Sequence, residues 1–123
     1  MNNYQLTLEE RDAYLYARLI GEDSFAASLS YWNEIADKVK ALGYRKLLVH
    51  EDLIGEVVES EMHEIIMDLM PSGLLDVQIA FFDENISDAS INARGQSMAV
   101  SKGANVRIFD SLNAAQDWIT QDG

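Results

Sequence analysis

Five short stretches of this chain alternate between apolar and other residues, and a stretch of helical period follows each of the last four. That order constrains the fold more than any other feature. The strand candidates are "YQLTLE", "AYLYARLI", "KLLVHE", "VQIAFF" and "NVRIF", each short, alternating or apolar, and bounded by turn residues. Only "ERD" separates the first two, which is short enough for a hairpin.

Helical period marks the segments between. Phe25, Leu29, Trp32, Ala36 and Val39 recur at spacings of four and three, with Ser24 placed as N-cap and Gly43 as stop. Val58, Met62, Ile65, Ile66 and Leu69 form a second stripe that ends before Pro71. A third helix is expected over Ile91 to Lys102, interrupted by Gly95 and closed by Gly103. A fourth begins at Ser111 and aligns Leu112, Ala115, Trp118 and Ile119. The order ββαβαβαβα predicts one α/β domain over residues 1–123. Its sheet is five-stranded and mostly parallel with an N-terminal hairpin, and its crossovers are right-handed.

Side chains alternate across a strand, so each strand can be divided into two faces. One set is apolar throughout: Ala13, Leu15, Ala17 and Leu19, then Leu47 and Val49, then Val77, Ile79 and Phe81, then Val106 and Ile108. The other set mixes Tyr14, Tyr16, Arg18, Lys46, Leu48, His50, Gln78, Ala80, Phe82, Asn105, Arg107 and Phe109. A parallel sheet covered on both faces would read as continuous apolar runs. The mixture therefore predicts helices mainly on one face. Two readings of the other face stand: a half-exposed sheet covered by its own long side chains, or an interface. Tyr14, Tyr16, Arg18, Lys46, His50, Phe82, Arg107 and Phe109 are the candidate interface residues, because aromatic and Arg-rich surfaces are typical of interfaces.

The net charge of −12 argues against nucleic acid, whose phosphates must be neutralised by Lys and Arg. No Lys or Arg occurs between Leu47 and Ala93. Such an acidic stretch either aids solubility or selects a basic partner. The absence of cysteine excludes disulfides and cysteine-based metal centres. Apolar runs are too short for membrane insertion, and "MNNYQLTLEERD" carries no basic or apolar leader pattern, so a cytoplasmic location is expected.

Four passages carry a resemblance to a known family: "YLYARLIGEDS", "YRKLLVHED", "VQIAFFDE" and "GANVRIFDSLNAAQDWI". Over nearly its whole length the chain resembles the SpoIIAA-like (STAS/SEC14-like) domains, relatives of the anti-anti-sigma factors. The resemblance implies a βα superhelix with strands in sequential order and helices on one side. It also implies a non-enzymatic domain that binds another protein or itself, a homodimer included. In the anti-anti-sigma members a serine at the start of the helix after the central strand is phosphorylated. The matching positions are Ser60 and Glu61 in "ESEM". The family's following Gly is missing, and Glu51, Asp52, Glu56, Glu59 and Glu61 crowd Ser60 in sequence, where carboxylates repel a phosphate. Glu61 therefore reads as a fixed negative charge at a position that others switch. SEC14-like relatives hold apolar ligands, and the corresponding alternative is a small apolar or lipid-like ligand near Met62, Ile66, Met70 and Met98.

Catalysis and metal binding find little support in the motifs. His50 and His63 lie among carboxylates, but the spacing of "HEDLIGEVVESEMHE" is not the two-histidine helical pattern of a zinc site. There is no nucleophile elbow and no phosphate-binding glycine loop. No cofactor is expected.

Overall fold

The computed structural model describes residues 3–54, 59–69, 74–84, 96–97, 100, 103 and 105–121. Strand β1 (Tyr4–Glu10) turns into β2 (Leu15–Glu22), followed by helix α1 (Phe25–Leu42) and β3 (Lys46–Ile54). Helix α2 (Glu59–Leu69), a 3₁₀ turn (Leu74–Asp76), β4 (Gln78–Asp83), β5 (Asn105–Phe109) and α3 (Leu112–Thr120) complete the order. Gln96, Ser97 and Val100 are helical, and the remainder of the helix expected over 91–102 lies outside the described residues.

The five strands form a single mixed sheet in the order β1-β2-β3-β4-β5. The β1–β2 pair is antiparallel and every other pair is parallel. Strand β2 begins two residues later than the alternation suggested, so Ala13 is exposed in the turn and not on the core face. Gly21 ends the hairpin at φ +125, and a Cβ there would meet the Asn3 carbonyl and Tyr4 Cα. Only glycine lets the two chains close at that point.

Helix α1 forms where its period and caps agree. Ser24 Oγ accepts the Ala27 N–H at 3.1 Å, and Gly43 in the left-handed region donates its N–H to the Val39 carbonyl. Ser24→Ala should cost about 1 kcal/mol in urea unfolding, the usual price of a lost N-cap. The buried side of α1 (Ala27, Tyr31, Ile35, Ala36, Val39) packs on Leu15, Ala17, Leu19, Leu47, Val49 and Ile79. Helix α2 lies against α1, where Asn33 Nδ2 donates to Asp68 Oδ2 at 3.2 Å.

Helical cover mainly on one face is an expectation that the structure corrects in part, because cover is not confined to that face. Helix α3 packs on the opposite face: Leu112, Ala115, Trp118 and Ile119 cluster with Tyr14, Tyr16, Leu48, Ala80, Phe82 and Phe109. Ile119 and Ala115 are fully buried there. Over its middle strands the mixed face is therefore a second, smaller core, and among the described residues it is exposed at Arg18 and Ile20 of β2, Ile54 of β3, and Asn105 and Arg107 of β5. Among the described residues no helix is long and apolar enough to cross a membrane.

Candidate functional site

Parallel strands end together at their carboxyl edge, where open α/β sheets usually bind ligands. Here β2, β3 and β4 bring Asp23, Glu51, Asp83, His50 and Glu84 to that edge, split between the two faces by strand alternation. On the α1 face the apolar phase of β3 (Leu47, Val49, Leu53) is broken by Glu51, which is only 6% exposed. Tyr31 Oη donates to Glu51 Oε1 at 3.0 Å and lies 3.3 Å from both carboxylate oxygens of Asp23. Ser28 Oγ donates to Asp23 Oδ1 at 2.7 Å and is 3.1 Å from Tyr31 Oη. The Ser24 N–H also binds Asp23 Oδ1, at 2.8 Å.

Burial pushes the Glu51 carboxyl well above the usual range, and the neighbouring Asp23 and Asp83 charges add to it. Burial also raises Asp23, against the opposing hydrogen bonds from Ser28, Ser24 and Tyr31. The Tyr31 hydroxyl is raised well above its ordinary value by burial and by the charges of Glu51 and Asp23. Tyr31 carries a single hydrogen and cannot serve both carboxylates. With a proton on Glu51, Glu51 donates to Tyr31 and Tyr31 donates onward to Asp23, so both carboxyls share a hydrogen bond with the tyrosine.

On the other face His50 is 4% exposed. Its Nδ1 is 2.6 Å from Tyr16 Oη, and its ring lies 5.1 Å from that of Phe82. His50 Nε2 is 3.4 Å from Glu84 Oε2 but makes no aligned hydrogen bond. Burial raises the Tyr16 hydroxyl above its ordinary value. Tyr14 and Tyr16 are sealed by Arg11, whose Nη1 donates to Tyr14 Oη at 2.6 Å and whose guanidinium stands 4.2 Å over the Tyr16 ring.

The candidate interface is thus divided. Tyr14, Tyr16 and His50 are buried within this chain. Phe82 and Phe109 are half-buried beside α3, and Lys46 donates to the Gln121 carbonyl at 2.9 Å. Arg18 and Arg107 are exposed, the latter 5.4 Å from the Phe109 ring. Ser60 and Glu61 lie in the first turn of α2, with Ser60 exposed and Glu61 half-buried. Met62 is on α2 and Ile66 is half-buried, whereas Met70 and Met98 lie outside the described residues. His63 is exposed on α2, whereas His50 is buried in β3. Among the described residues no group of three His, Asp or Glu side chains could hold a metal ion.

The network of Asp23, Ser28, Tyr31 and Glu51 was not anticipated. Its signal was an acid in the apolar phase of a strand, opposite a Ser and a Tyr in the apolar phase of a helix. The chain matches no family model and no curated protein.

Proposed function

We propose that this chain is a non-enzymatic binding domain of the SpoIIAA-like type. It engages a protein through the part of the mixed face that α3 leaves open, together with the acidic surface of α2. The observation that carries this reading is the pair Ile20 and Ile54, 42% and 73% exposed. They are diagonal neighbours on one face, because Ile20 stands opposite Asp52 and Glu22 opposite Ile54. Exposed Arg18 and Glu22 flank Ile20 on the same face, whereas exposed His63, Glu64 and Asp68 belong to α2, which lies beside α1. An apolar centre with a charged rim is the ordinary anatomy of a protein-binding patch.

Ile54→Asp should abolish retention of the proteins that the wild-type domain captures from a native extract. Lys38→Glu, on the exposed side of α1, should leave that set unchanged. Retention of the same set by Ile54→Asp would overturn the reading. A lipid mass that stays with the untagged protein in native mass spectrometry would favour the apolar-ligand alternative in its place.

A further inference from the structure

The two edges of the sheet are finished differently. At the β5 edge the Ile108 N–H, which faces away from β4, is taken by Gln96 Oε1 at 2.8 Å. At the β1 edge no such cover exists among the described residues. The Glu22 N–H bonds the Asn3 carbonyl and the Arg11 N–H bonds the Tyr14 carbonyl, which fixes the parity of the hairpin. Odd residues of β1 bond to β2, so the N–H and C=O groups of Tyr4, Leu6 and Leu8 point outward. None of these groups is bonded to another described residue. The strand is seven residues long and has no proline and no lysine, the usual devices that blunt an edge.

We propose that β1 is a self-association edge, pairing antiparallel with β1 of a second copy about a two-fold axis at Leu6. Outward groups must meet outward groups, so even residues pair with even ones. Centring on Leu6 sets Tyr4 against Leu8 and Leu6 against Leu6, which extends the half-buried apolar row of Tyr4, Leu6 and Leu8 across the junction. The same register places Gln5 opposite Thr7 and Glu9 opposite Asn3, so no acid faces an acid. Centring on Thr7 would instead press Glu10 against Tyr4. A second copy is therefore the partner this strand fits, despite the high net charge, and the product is a ten-stranded sheet. The edge is a different surface from the Ile20–Ile54 patch, and its test needs no other protein.

Sedimentation equilibrium of the full chain over a concentration series is expected to show a dimer. Leu6→Pro removes an outward N–H and leaves the β1–β2 bonds intact. It should weaken the dimer by about tenfold or more relative to Leu6→Ala, which loses the side chain alone. The chain has no cysteine, so cross-linking reads the register directly. Gln5→Cys and Thr7→Cys chains, mixed and oxidised, should link to each other, because facing residues in a non-hydrogen-bonded pair are about 4.5 Å apart at Cα, within disulfide range. Neither variant alone should link at a comparable rate. A monomer at every concentration, a dimer indifferent to Leu6→Pro, or a Thr7→Cys chain that links to itself would each overturn the proposal.

Discussion

Ile119→Ala should lower the stability of this domain by about 2–5 kcal/mol, the range for deleting a buried Ile side chain and leaving a cavity. The size follows from where α3 sits. Ile119 is fully buried in the second core, between the helix and Leu48 and Ala80 of the central strands. Trp118, in the same layer, lies 5.5 Å from the Phe109 ring, so its emission should shift in step with the loss. Ile54→Ala is the matched control: Ile54 is largely exposed, and its truncation should change stability by no more than about 0.5 kcal/mol. Both values come from urea unfolding of the full chain. A cost for Ile119→Ala as small as that of Ile54→Ala would mean that α3 does not cover the mixed face. Tyr16, Leu48 and Ala80 would then be open to a partner, as the strand alternation alone suggested.

That contrast shows where the sequence is legible and where it is not. Helix α1 could be read to its ends from Ser24 and Gly43, but its stripe held only in part: Ala36 and Val39 are buried, whereas Phe25, Leu29 and Trp32 are half-buried beside the buried Ala27, Tyr31 and Ile35. The mostly parallel sheet followed from the alternation of strand and helix, whereas its sequential strand order was only what the family resemblance implied. The site of α3 did not follow. A crossover helix is bound by handedness to one face, whereas a helix after the last strand is free to choose. Its own stripe, Leu112 to Ile119, says that it docks but not where. The clue lay in the mixed face, where Leu48, Ala80, Phe82 and Phe109 form an apolar band among the polar residues. The rows of aromatic and cationic side chains suggested an exposed interface, but Arg11 lies over Tyr16 and bonds Tyr14 as part of their cover. The buried acid was hidden by abundance. With 21 acidic residues in the chain, no single Glu stands out until its strand phase is considered.

Glu51 gives the second large effect, and its sign is opposite to that of most core changes. In the folded domain its carboxyl binds a proton more tightly than in the unfolded chain, because burial and the charges of Asp23 and Asp83 disfavour the anion. Between the unfolded value, about 4.3, and the raised folded value, the folded state holds more protons. Stability must therefore fall as pH rises through that window, and the whole penalty is present above it. Asp23 acts in the same direction. Glu51→Gln keeps the size of the side chain and a partner for Tyr31 while removing the charge. It should raise stability by about 1–3 kcal/mol above the window, the scale of relieving a poorly satisfied buried group. It should also flatten the fall of stability with pH. General repulsion on a chain of net charge −12 also grows with pH, so Glu64→Gln supplies the control. It removes one charge from the exposed side of α2 and should leave the slope nearly as it was. Equal slopes in wild type and Glu51→Gln would place the proton elsewhere. A slope flattened only in Glu51→Gln would identify the Asp23–Tyr31–Glu51 network as the group that holds a proton at the carboxyl edge of the sheet.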